Sequence, residues 1–173
     1  LSTWTAIPSG DDLAKHHKSN TEMIYYNGSF YMVYQNSKWH LQDQNGELVV
    51  ARSDTAGKGT WETISKVSLP NTDVRDPLLS VINDTFYLYF LPNYQFDPEP
   101  EYTHFTSSED AVNWKEPERL SLNVSYSNGT FGLEENWCFG RCRPITPDNN
   151  TWYVVASGTK GKHVIEKNAG QEV

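Results

Sequence analysis

The sequence predicts an all-β fold, a β-propeller of which this chain supplies about three four-stranded blades. Two observations carry that expectation. TEMIYYNGSFYMVYQ (21–35), DPLLSVINDTFYLYF (76–90) and CRPITPDNNTWYVVA (142–156) follow one template. Each has an apolar stretch, an Asn-containing tight turn, then an aromatic pair in a run of alternating Tyr, Val, Met and Leu. The equivalent aromatics Phe30, Phe86 and Trp152 recur at intervals of about 60 residues. A period of that size, with strand signals and almost no helix signal, reads as successive propeller blades.

Taken in order, each element has its own reason. Asn27-Gly28 and Asn83-Asp84 stand between alternating apolar runs, where a two-residue hairpin turn needs positive φ. A third strand follows each hairpin, GELVVAR (46–52) and EYTHFTS (101–107). Each third strand then enters a Trp-containing turn, SDTAGKGTW (53–61) and SEDAVNW (108–114). Both turns resemble the Asp-box, S-x-D-x-G-x-T-W, of sialidase-type blades. Ser108, Asp110 and Trp114 keep its spacing with Val112 in place of the Gly; Ser53, Asp54, Gly57 and Trp61 form a looser copy. The resemblance implies structural rim turns, with Ser and Asp bonding turn backbone and Trp packing between blades.

The expected organisation is a single propeller segment over 1–173, with blades at 16–70, 71–122 and 136–173 plus 1–8. HVIEKNAGQEV (163–173) reads as a third strand entering a turn that lacks its Trp, and LSTW (1–4) as the close of such a turn. One blade is therefore expected to be cut between its third and fourth strands. Three blades are fewer than the roughly four to eight of known rings. Self-association, or blades missing from this chain, would complete the propeller.

Bulk properties exclude some partners. The net charge is −8 and no Lys/Arg run occurs, which argues against nucleic acid and anionic membrane. No stretch of about 18 apolar residues is present, so no membrane span is expected. The sequence opens on Leu1 rather than Met, which sets the expectation of a chain that is processed, trimmed or built as part of something longer. Cys138 and Cys142, in WCFGRCRP, read either as a small-loop disulfide or as two reduced thiols. No second Cys or His pair lies at zinc-ligand spacing, and no metal or cofactor is expected. Asn-x-Ser/Thr acceptors occur at Asn27, Asn83, Asn123, Asn128 and Asn149. Those in the template turns are also what turn chemistry alone demands. Together, bridge and acceptors set an extracellular or cell-surface expectation.

Candidate site residues come from the start of each inner strand, the strand that lines a propeller's central channel. Arg75-Asp76-Pro77 precedes the second template, and SNTEMIYYNGSFYMVYQ followed by VRDPLLSVINDTFYLYF resembles the first two blades of five-bladed glycoside hydrolases of invertase, levanase and arabinanase type. The resemblance implies that Asp76 stabilises an oxocarbenium-like transition state by holding sugar hydroxyls. Carried over, the family's blade-one carboxylate falls on Ser19 and its third-blade acid on Arg141, so two of the carboxylates are not matched. Hydrolysis needs a pair across the scissile bond, and Glu22, Glu134 and Glu135 are the spare acids near the blade starts, with Glu22 and Glu135 the candidates alongside Asp76.

Arg75, Arg141 and Arg143, with His16 and His17 in blade one, gather positive charge where the channel mouth is expected. Guanidinium groups bind carboxylate or sulfate in bidentate fashion, which makes an anionic glycan one candidate ligand. Pairing with neighbouring acids is the alternative for the same arginines. Trp137, Tyr94 and Tyr102 are candidates for stacking on sugar rings, with inter-blade packing as their alternative. Three functions follow: a glycosidase-like propeller engaging carbohydrate, a non-catalytic glycan-binding module, or a surface subunit sharing its split blade with a neighbouring chain.

Overall fold

The computed structural model describes residues 17–40, 45–94, 103–120, 123–126, 129–132, 137–138, 146, 151–153 and 157–158. Two four-stranded antiparallel sheets dominate. The first runs β1 (His17–Tyr26), β2 (Ser29–Ser37), β3 (Glu47–Ser53) and β4 (Glu62–Val67), each strand beside the next in sequence. The second repeats that order with β5 (Thr72–Ile82), β6 (Thr85–Tyr94), β7 (His104–Ser108) and β8 (Glu118–Arg119). Two short pairs complete the described strands: β9 (Asn123–Tyr126) with β10 (Gly129–Gly132), and β11 (Trp137–Cys138) with β12 (Ser157–Gly158). No helix occurs among the described residues. The chain is an all-β propeller segment, as the repeat predicts.

The turns explain the two long hairpins. Asn27 and Gly28 have φ of 46° and 84°, and Asn83 and Asp84 have 48° and 60°. Positive φ at both central residues is the type I′ geometry, whose twist matches that of the flanking strands. Asn and Asp reach it at modest cost, because their short polar side chains bond locally.

Side chains then divide each blade into two faces, since successive residues of a strand point opposite ways. Tyr31, Val33, Leu48 and Val50 of the first blade join Val74, Leu79, Phe86, Leu88 and Phe90 of the second in one core. Phe86 is at its centre, its ring 5.3 Å from Tyr26 and 4.8 Å from Tyr31 across the blade boundary. The alternate residues Met32, Tyr34, Val49 and Ala51 form a second cluster on the opposite face of the first blade, with Trp61 packed on it. An apolar blade on both faces is what a propeller requires, because each blade is sandwiched between neighbours.

In the third template, Trp137 pairs with Gly158 and Cys138 with Ser157. The turn that the sequence assigns in this template lies outside the described residues. The β9–β10 hairpin is an element the sequence reading leaves unassigned. Its register pairs Tyr126 with Gly129, so the Asn128-Gly129 dipeptide does not occupy the centre of the turn as Asn27-Gly28 does. The expected split blade, at 163–173 and 1–8, lies outside the described residues.

Candidate functional site

Inner strands β1 and β5 lie side by side, and each carries a bulge at the same place. On β1 the register against β2 shifts between Ser19 and Glu22; on β5 the register against β6 shifts between Arg75 and Leu78. The extra residues are Asn20-Thr21 and Asp76-Pro77. Asn20 has φ of 52° and Asp76 of 49°. Bulges re-aim side chains and recur beside functional sites, and non-glycine residues at positive φ persist only where the surroundings fix them. By register Ser19 matches Arg75, and Asn20, not Ser19, is the counterpart of Asp76. The carry-over to Ser19 counts eleven residues back from Phe30, whereas the register counterpart of Asp76 lies ten residues back, at Asn20. Asp76 precedes Phe86 by the same interval as Asn20 precedes Phe30, so the signal was there.

A buried polar relay holds the two bulges. Gln35, fully buried on β2, accepts at Oε1 from Asn20 Nδ2 at 3.1 Å and from Ser19 Oγ at 3.3 Å. Its amide Nε2 donates to Asp73 Oδ1 at 3.1 Å, crossing from the first blade to the second. Asp73 Oδ2 in turn lies 3.2 Å from Arg75 Nε, an ion pair in which the N–H is not aligned for a hydrogen bond. The Asp73 and Arg75 side chains are 2% and 11% exposed. A carboxylate buried that deeply is retained only with a cation and donors to satisfy it. Arg75 is therefore compensated in place by Asp73. Gln35 and Asp73 are site-supporting residues that the sequence reading also misses, since nothing local marks a strand Gln as the link between blades.

Of the residues singled out from sequence, Glu22 is half-buried on β1, two residues past Asn20. His17 at the start of β1 is hydrogen-bonded to His40, with Nε2 to Nδ1 at 3.2 Å. No group of three or more His, Cys, Asp or Glu with metal-holding geometry occurs among the described residues. Asn27 and Asn83 are exposed in their turns, and Asn123 lies on β9. Trp137 and Cys138 are on β11 and Tyr94 is on β6. Glu134, Glu135, Arg141, Arg143, Cys142, His16, Tyr102, Asn128 and Asn149 lie outside the described residues, and with them the disulfide and two of the three arginines.

The two Trp-containing turns behave differently from one another. Asp110 Oδ1 accepts from the backbone N–H groups of Val112 and Asn113 at 2.8 Å each and from Ser108 Oγ at 2.9 Å, while Oδ2 accepts from Asn113 Nδ2. Those bonds, the Asn113 backbone first, hold its carboxyl well below the usual carboxylate range. In the first blade Ser53 aligns with Ser108 through Phe30 and Phe86, which puts Thr55 in the place of Asp110. Thr55 Oγ1 accepts from Gly57 N–H, and Ala56 and Ala111 share positive φ. Asp54 turns outward instead, accepting from Ser29 Oγ at 2.8 Å and Arg52 Nη2 at 3.1 Å, and these partners lower its pKa, Ser29 first. Trp114 reaches back to the preceding blade, its Nε1 donating to Ser65 Oγ at 2.9 Å.

Comparison with solved structures places this architecture. A β-1,2-mannobiose phosphorylase from Listeria innocua, in complex with β-1,2-mannobiose, matches at a TM-score of 0.55 and 14% identity over 84% of this chain. The similarity is one of fold, an all-β propeller. This chain spans only 37% of the phosphorylase. An exo-1,5-α-L-arabinanase from a bovine ruminal metagenomic library is similar at a TM-score of 0.38 and 11% identity, over 88% of this chain and 75% of that one. No family model and no curated protein matches the sequence.

Proposed function

We propose that this propeller engages carbohydrate at the mouth of its channel, as an extracellular glycan-binding segment. The observation that carries the reading is the pair of equivalent bulges, with Asp76 and Asn20 at positive φ on adjoining inner strands. A carboxylate and an amide suit sugar hydroxyls, one accepting and the other both donating and accepting. The phosphorylase with the similar fold holds a disaccharide, which supports a sugar over another ligand class.

Binding is favoured over hydrolysis because the blade-one counterpart of Asp76 is an amide. Hydrolysis requires two carboxylates, one acting as acid and one as nucleophile or base. A neutral glycan is favoured over an anionic one on the same geometry, because Asp73 already compensates Arg75. An anionic ligand would depend on Arg141 and Arg143. Exposure of Asn27 and Asn83 in hairpin turns supports a glycosylated, extracellular protein.

The test is a glycan array followed by calorimetry on the strongest ligand. Asp76→Asn should weaken binding about tenfold or more, the loss expected when a charged acceptor becomes neutral, with unchanged circular dichroism. Equal binding by wild type and variant, or no ligand at all, would sink the reading. A reducing-end assay on the same ligand separates the alternatives. Hydrolysis abolished by Asp76→Asn would make this propeller an enzyme.

A further inference from the structure

The second apolar face of the first blade has a donor waiting on it. Trp61 packs on Met32, Tyr34, Val49 and Ala51, and its Nε1 is buried without an acceptor. Met23 and Tyr25, paired in register with Met32 and Phe30, extend that face and are 42% and 64% exposed. One blade on, the equivalent relationship is complete. There Trp114 donates its indole N–H to Ser65 Oγ on β4, and Ser65 donates its own proton to the carbonyl of Ala111 beside Trp114. The turn Trp of one blade is thus anchored by a hydroxyl on the outer strand of the blade before it.

We infer that the face around Trp61 is a blade-to-blade seat occupied by segment 1–9, LSTWTAIPS, of this same chain, with the Ser9 hydroxyl accepting the Trp61 indole N–H. Three features select that occupant. Ser9 precedes Asn20 by the same interval as Ser65 precedes Asp76, and Asn20 and Asp76 are register equivalents. Trp4 and Ile7 repeat the spacing of Trp61 and Ile64, the opening of β4. The segment also leads directly toward β1, as β4 leads to β5, so its chain direction matches the known interface. A buried indole donor left without acceptor is destabilising, and a strand hydroxyl removes that cost.

The experiment follows indole N–H resonances in the full ¹⁵N-labelled chain, with Trp61→Phe assigning the Trp61 signal. In the wild type that proton should be protected from exchange. Ser9→Ala should shift the signal and speed its exchange on the order of tenfold, leaving the Trp114 signal in place. Deletion of residues 1–9 should remove protection and lower Tm. Light scattering covers the other occupant. Protection that survives the deletion, or a dimer whose dilution abolishes it, overturns the inference and hands the seat to another blade or a second copy.

Discussion

Gln35 donates its side-chain amide to Asp73 at 3.1 Å, a bond between two blades made by two buried side chains. The same Gln35 holds Asn20 and Ser19 from the other side, and Asp73 holds Arg75. One neutral residue thereby sets the relative position of both bulges. Gln35→Leu fills the space but leaves a buried carboxylate short of a donor and two donors short of an acceptor. Stability should fall by about 1–3 kcal/mol, read from the urea midpoint at constant m. Gln35→Glu should be worse at neutral pH, because a second carboxylate faces Asp73. Like charges raise a carboxyl pKa. The folded value then lies above the unfolded one, so this variant should regain stability as pH falls through the raised value.

Ser65 on β4 joins the two blades, as Gln35 on β2 does. Its hydroxyl accepts from Trp114 Nε1 and donates to Ala111 O, so both ends of the O–H are used. Ser65→Ala strands the indole N–H and a backbone carbonyl together. A loss of about 1–3 kcal/mol is expected, along with a change in the Trp114 near-ultraviolet signal. Ser65→Thr keeps the hydroxyl and should recover most of that stability. Failure of the Thr variant to do better than Ala would mean that the Trp114 bond contributes little.

Asp110 gives the molecule an acid-side sensitivity. Its carboxylate gathers two backbone N–H groups, the Asn113 amide and the Ser108 hydroxyl, which lowers its pKa in the folded state. A depressed folded pKa contributes stability that is fully present above the unfolded value, about 3.9. That stability is lost as pH falls from there toward the folded value. Wild-type Tm should therefore decline below about pH 4, and Asp110→Asn should decline less over the same range. Parallel curves would show that the turn does not couple to protonation.

The fold was legible because its signals are local and repeated. Asn27-Gly28 and Asn83-Asp84 state the turn, and the period-two runs beside them state two faced strands. The pattern even marks both faces of the first blade as apolar, since Tyr31, Met32, Val33 and Tyr34 are consecutive. What the sequence conceals is non-local. The pairing of Gln35 with Asp73 joins residues of different blades, and no spacing rule announces it. The substitution of Thr55 for Asp110 becomes visible only when Ser53 and Ser108 are aligned through their strand partners. A bulge inserts a residue, so a count back from Phe30 or Phe86 finds equivalent positions only when the inserted residue is included.

The bulge residues themselves allow strain and function to be separated. Asp76 and Asn20 hold φ of 49° and 52°, a region glycine enters freely and alanine does not. Asp76→Gly should leave Tm near the wild-type value, since released backbone strain offsets the lost side-chain bonds. Asp76→Ala should cost about 1–2 kcal/mol, because it loses the side-chain bonds while its Cβ keeps the left-handed strain that Gly releases. Both substitutions remove the carboxylate, so both should abolish glycan binding equally. Asn20→Gly should likewise fold normally and bind more weakly, although it also releases one donor from Gln35. The measurement is paired, thermal melts beside calorimetric titration of the same preparations. If Gly and Ala variants of Asp76 bind glycan to different extents that track their Tm, then the bulge serves stability and the carboxylate does not contact the sugar.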